Sequence, residues 1–159
     1  MKLCRVGKVG GEKPVIIDNE NNYRDISSVI KDLDRTTLNF ETLEKLKNID
    51  LSKFPVLDKN SRIGACVSNP SKFIGIGLNF KDHALEQNLP IPKEPIIFSK
   101  FTNCICGPND DIEVPKNSEH TDWEVELGFV IGKKAKYVTE ENAINYVLGF
   151  FLVNDVSER

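Results

Sequence analysis

Thr121-Asp122-Trp123-Glu124-Val125-Glu126-Leu127-Gly128-Phe129-Val130-Ile131 sets two acids into what otherwise reads as a buried β-strand. Strand side chains alternate between faces, so Glu124 and Glu126 point one way while Trp123, Val125 and Leu127 point the other. Same-face neighbours lie about 6.6 Å apart, and at an effective dielectric of ~20 two such charges repel by roughly 2.5 kcal/mol. On a solvated face the repulsion falls well below about 1 kcal/mol. A buried pair therefore calls for a cation, whereas an amphipathic strand with a wet face calls for nothing. The stretch alone leaves both readings open.

The 159 residues suffice for one ordinary domain, or for a small domain plus part of a larger one. With 40% hydrophobic and 28% charged residues, the composition is that of a soluble globular protein. Lys and Arg number 21 against 24 Asp and Glu, and no basic block or aromatic-basic interleaving occurs, so nucleic acid is not an expected partner. Residues 1–7 hold too short an apolar run for a signal peptide, and no apolar span has membrane length. A cytoplasmic protein without a membrane partner is the expectation. Cys4, Cys66, Cys104 and Cys106 lack paired C-x-x-C spacing, which fits reduced thiols better than a disulfide frame or a zinc site.

Turn-forming clusters at Gly10-Gly11 and at residues 19–22 separate expected strands at 3–6, 15–17 and 23–26. Leu43, Leu46 and Ile49 recur at helical spacing. Residues 50–60 read as a polar, proline-punctuated linker, which places a boundary near residue 62 and divides the chain into 1–62 and 63–159. Apolar extended runs follow at 63–67, 73–78, 95–100, 112–114 and 149–153, with a helix over 140–146 capped by Thr139.

His120 sits in a polar loop and is expected to face solvent. His83 follows the strand end Gly75-Ile76-Gly77-Leu78-Asn79, and Glu86 lies three residues on, on the same helical face. Loops at strand ends often carry catalytic groups, and a carboxylate raises the basicity of an imidazole; the same spacing also describes an ordinary surface pair. Asp155 ends the last apolar run, and would stand beside Glu124 and Glu126 if the two strands pair. Three carboxylates form a hard oxygen set, suited to Mg²⁺, Mn²⁺ or Ca²⁺ rather than zinc. Gly75-x-Gly77-x-x-Phe80 is not a dinucleotide fingerprint, and no P-loop or G-x-S-x-G motif is present.

The blocks Phe73-Ile74-Gly75-Ile76-Gly77-Leu78-Asn79-Phe80-Lys81-Asp82-His83, Pro95-Ile96-Ile97-Phe98-Ser99-Lys100, Gly107-Pro108, Asp122-Trp123-Glu124-Val125-Glu126-Leu127 and Asn154-Asp155-Val156-Ser157-x-Arg159 resemble, in that order, the fumarylacetoacetate hydrolase family. Residues 1–62 resemble, much more weakly, the small N-terminal domain of its bacterial members. The resemblance implies an α+β fold, a mixed-sheet β-roll preceded by that small domain. It implies that Glu124, Glu126 and Asp155 bind a divalent cation, Mg²⁺ first and Mn²⁺ or Ca²⁺ next. It makes His83 and Glu86 a water-activating dyad on a mobile lid, and it lines the substrate site with Lys100 and Arg159.

The activity implied is hydrolysis of a C–C bond in a small 1,3-diketo acid of the acylpyruvate or fumarylacetoacetate type, in a homodimer when complete. The family also holds isomerases, decarboxylases, dehydratases and ureidoglycolate lyases, and fold does not choose among them. Phe80 departs from a common tyrosine, Phe101 from a proline and Glu158 from an alanine. Family members continue well past the position matched by Arg159, so the expectation is a roll incomplete at its C-terminus, inactive alone, with a non-catalytic fragment as the other reading.

Overall fold

The computed structural model describes residues 1–159. The N-terminal strands β1 (Lys2–Val6), β2 (Lys13–Ile17) and β3 (Tyr23–Asp25) form where the alternation and turns predict them. With β4 (Val56–Leu57) and β5 (Ile63–Gly64) they make an antiparallel sheet of order β4-β3-β2-β1-β5. Cys4 pairs with Val15, and Leu3 with Ile16. The period of two sends these pairs to opposite sides of the sheet. Cys4, Val6 and Val15 gather one apolar cluster, while Ile16, Ile26, Ile30, Leu33 and Leu46 form the other. Leu46 comes from α1 (Phe40–Lys47), whose first turn is capped by the Asn39 side chain accepting from the Thr42 N–H at 2.9 Å.

Two expectations change here. Residues 50–60 are not a bare linker, because after a single 3₁₀ turn capped by Asp50 they supply β4, which pairs Leu57 with Tyr23. A polar segment can do this because an edge strand needs a partner on one side only. Only Ile63–Gly64 of the expected 63–67 run pairs, with β1.

The chain divides into two compact units, Met1–Ser68 with Cys106–Arg159, and Asn69–Ile105. An ion network ties the first together. Arg5, only 7% exposed, donates to Asp32 at 2.6 Å and to Glu12 at 3.2 Å. Arg62 bonds the other oxygen of Glu12 at 2.8 Å and Asp110 at 2.5 Å, and Asp110 accepts from the Gly107 N–H at 2.6 Å. A Cβ on Gly107 would stand 2.4 Å from the Ile63 carbonyl oxygen, so this close approach requires glycine.

The second unit is a hairpin-like pair, β6 (Phe73–Gly77) antiparallel to β7 (Ile96–Lys100), with α2 (Lys81–Glu86) between them in sequence. Leu78, between β6 and α2, has a φ of +49°, in the left-handed region that a bulky side chain rarely enters.

The rest of the first unit holds β8 (Thr121–Asp122), β9 (Val125–Ile131), α3 (Glu140–Ala143), β10 (Val147–Asn154) and β11 (Ser157–Glu158). β9 pairs with β10 and β8 with β11, all antiparallel. The expected strand at 112–114 does not form: no ladder partner reaches it, and its apolar side chains are exposed. Thr139 has N-cap geometry, but its hydroxyl accepts from the Asn142 side chain at 2.9 Å, and the helix passes into 3₁₀ after Ala143.

Residues 121–131, expected as one buried strand, do not form a single element. They are two strands, β8 and β9, broken at Trp123-Glu124. Their apolar side is open: Trp123 is 72% exposed and Leu127 61%, while Glu124 and Glu126 are half-buried. Leu127 faces Leu152 across the ladder and Phe129 faces Phe150, and all four are exposed. Alternation fixes which residues share a face, but burial depends on what packs against it. The molecule is a mixed α/β structure of small antiparallel sheets and few short helices, and no helix is long and apolar enough to cross a membrane.

Candidate active site

The β9–β10 register sets Val125 opposite Asn154 and Glu126 opposite Val153. One step further, the Asp155 N–H donates to the Glu124 carbonyl at 2.8 Å, and the Asn154 side-chain oxygen accepts from the Glu124 N–H at 3.1 Å. Both backbone groups of Glu124 are therefore held by the strand that delivers Asp155. At the break, the Asp122 carboxylate accepts from the Trp123 N–H at 2.9 Å, so side chains replace the missing ladder bonds.

β8 and β11 pair Asp122 with Ser157 and Thr121 with Glu158, which leads Arg159 back to the acids. Its guanidinium donates through Nε to Asp122 at 2.7 Å and through Nη2 to Glu124 at 2.5 Å, and its backbone N–H donates to the His120 carbonyl at 3.1 Å. The bonds to Asp122 and Glu124 raise the guanidinium pKa further. Glu158 accepts from the Ser118 hydroxyl, the Thr121 hydroxyl at 2.7 Å and the backbone N–H groups of His120 at 3.1 Å and Glu119 at 3.3 Å. Those bonds, Ser118 first, hold its carboxyl down at about 2.

No three Asp, Glu, His or Cys groups stand close enough together to hold a metal ion as the side chains lie. Glu124, Glu126 and Asp155 are nevertheless a fitting donor set. They are all half-buried, all oxygen, and placed by the same strand pair. The Glu124 carboxylate is turned onto Arg159.

The remaining expected residues lie in the second unit. His83 is half-buried on α2 beside fully buried Ala84, and Glu86 is exposed one turn on. The side-chain bond of His83 runs to Gln87, 2.9 Å from Nε2; with the amide donating, Nε2 accepts and the ring proton sits on Nδ1. Lys100 ends β7 opposite Phe73 and is half-buried. His120 is exposed, as its polar loop suggests.

The structure thus groups Asp155, Glu124 and Arg159, with Glu126 on β9, while His83, Glu86 and Lys100 belong to the second compact unit. Sequence reasoning missed Asp122, Asn154, Gln87 and the clasping role of Glu158. Asp122 was findable, since it continues the period-two spacing of Glu124 and Glu126.

The sequence profile described as fumarylacetoacetate (FAA) hydrolase C-terminal matches residues 72–159. A Burkholderia orbicola protein that carries a hydrolase name is 53% identical over 159 residues, which are 100% of this chain and 56% of that protein. The structure of fumarylacetoacetate hydrolase from psychrophilic Exiguobacterium antarcticum aligns with 100% of this chain and 57% of its own at 28% identity, with a TM-score of 0.80. That of 5-carboxymethyl-2-hydroxymuconate delta-isomerase from Mycobacterium smegmatis covers 100% and 56% at 26% identity, with a TM-score of 0.72. The chain spans little more than half the length of these relatives. Because the profile takes in more than half of the chain, from before His83 through Arg159, the chain belongs to the fumarylacetoacetate hydrolase family.

Proposed function

We propose that this chain supplies the cation-binding and water-activating part of an enzyme that hydrolyses a C–C bond in a small 1,3-diketo acid of the acylpyruvate or fumarylacetoacetate type. The observation that carries the reading is the seating of Asp155 against Glu124 by the β9–β10 pair, in a member of this family. The reading includes a mixed-sheet β-roll over 63–159, a small N-terminal domain over 1–62 and a homodimer for the complete enzyme.

In this reading Glu124, Glu126 and Asp155 hold the divalent cation, with Mg²⁺ preferred by an all-carboxylate set. When bound, the cation would supply Lewis acidity to the carbonyl groups of the substrate. His83 takes a proton from the attacking water at Nε2, with Glu86 on the same helix orienting the ring, and Gln87 gives way to that water. Lys100 and Arg159 offset the negative charge that develops on the leaving oxo acid.

A second reading, isomerisation of an oxo acid without water, is supported by the likeness to the Mycobacterium smegmatis isomerase. The two separate in one assay. The chain, alone and extended with the C-terminal part of the Burkholderia orbicola relative, is incubated with an acylpyruvate and Mg²⁺. Hydrolysis yields pyruvate and a carboxylic acid in equal amounts. Substrate rearranged without pyruvate would replace hydrolysis by isomerisation, and an unchanged substrate in the extended form would overturn the diketo-acid assignment.

A further inference from the structure

We propose that Arg159 is a built-in counter-cation for the diacid strand, and that a divalent ion takes Glu124 by displacing it. The inference rests on the cation reading of Glu124, Glu126 and Asp155. Asp122, Glu124 and Glu126 recur at every second position, and like charges so spaced repel wherever solvent does not screen them. The Arg159 fork answers two of the three, bridging Asp122 at 2.7 Å and Glu124 at 2.5 Å. A guanidinium and a dication on one carboxylate would stand within its width of each other, where their repulsion is strong. Occupancy of Glu124 by one therefore disfavours the other.

The surroundings permit the exchange without refolding. The Arg159 backbone is held by the His120 carbonyl, and β11 by its ladder to β8, so only the side chain has to move. Asp122 is fixed by the Trp123 N–H and keeps its hold on Arg159 after Glu124 is released. The released Arg159 nitrogen is then free to meet a carboxylate of substrate. Cation loading and exposure of the arginine become one linked equilibrium, and the linkage is reciprocal.

The test uses the 159-residue chain, with Mg²⁺ and Mn²⁺ alone as probes. Trp123, the single tryptophan, lies between Asp122 and Glu124 and is exposed, so its emission reports the titration alongside calorimetry. Arg159→Gln should tighten cation binding by about two- to fivefold, as expected for loss of a partly exposed competing ion pair. Removing a positive charge would do the same at a distance, so the decisive comparison adds Asp122→Asn. Under displacement, Asp122→Asn weakens binding in the parent chain, where Arg159 then rests on Glu124 alone, and has much less effect beside Arg159→Gln. Charge alone predicts additive effects.

A readout that needs no variant is the Nε–H resonance of Arg159, which should shift as Mg²⁺ is added. Additive effects, or cation binding that leaves this resonance unmoved, would overturn displacement while leaving the cation reading intact. No heat and no emission change in any variant at millimolar Mg²⁺ or Mn²⁺ would overturn the cation reading itself, and displacement with it.

Discussion

Asp155 and Glu124 are joined through their main chains, the Asp155 N–H donating to the Glu124 carbonyl at 2.8 Å, so that two acids 31 positions apart in sequence are positioned by one backbone bond. The Asn154 side chain adds a second hold, accepting from the Glu124 N–H at 3.1 Å. Any change that loosens the end of the β9–β10 ladder should separate them.

Glu126 stands opposite Val153 in that ladder, two residues from Glu124. Glu126→Gln keeps the shape of the side chain and removes its charge. Cation binding measured by calorimetry should weaken at least tenfold, about 1.4 kcal/mol or more, while the far-ultraviolet circular dichroism stays unchanged. Undiminished affinity would remove Glu126 from the donor set.

His83→Ala should lower turnover of the extended enzyme by about 10²–10⁴-fold, the range for loss of a general base, with cation affinity kept. Gln87→Ala frees Nε2 of its amide partner and should leave turnover equal or higher. A normal rate in His83→Ala would return this histidine to an ordinary helix-surface role.

The clasp at Glu158 makes a pH prediction. Its carboxyl sits at about 2 against an ordinary 4.5, a depressed folded value. The stabilisation is therefore fully present above the ordinary value and is lost as pH falls through the folded one. The backbone amides of Glu119 and His120, followed by NMR on acidification from pH 6, should hold their shifts through the ordinary 4.5 and move only as pH approaches about 2. A midpoint at the ordinary 4.5 would mean that the clasp is open in solution.

The exposed side of β9 and β10 should make the isolated chain sticky. Val125, Leu127, Phe129, Ile131, Phe150 and Leu152 expose large apolar groups on two paired strands, a patch of the kind that drives association. Leu127→Lys with Leu152→Lys should cut binding of an apolar dye to roughly half and reduce self-association in size-exclusion runs. No change in either would show that this face is already covered in solution.

The antiparallel N-terminal strands were legible because turn clusters and alternation agree there. β4 was not, since an edge strand of two residues carries no pattern of its own, and residues 112–114 looked like a strand but found no partner. At the site, the spacing of Glu124 and Glu126 and the approach of Asp155 could be read. The Arg159 bridge could not, because it spans 35 to 37 positions and depends on a two-residue ladder between β8 and β11. The face that alternation assigned to the interior is open, since periodicity says which residues go together and not what will cover them.

Arg62 sits at the position where the sequence suggests one domain ends and the next begins, yet its guanidinium holds Glu12 on one side and Asp110 on the other. Anyone exchanging N-terminal segments between relatives would naturally cut there, and would cut through a three-residue ionic joint. Glu12, Arg62 and Asp110 have to travel as a matched set: a hybrid that inherits only two of them loses one or both of the ion pairs that join Arg62 to Glu12 and to Asp110. The workable crossover for a chimera therefore lies outside this joint.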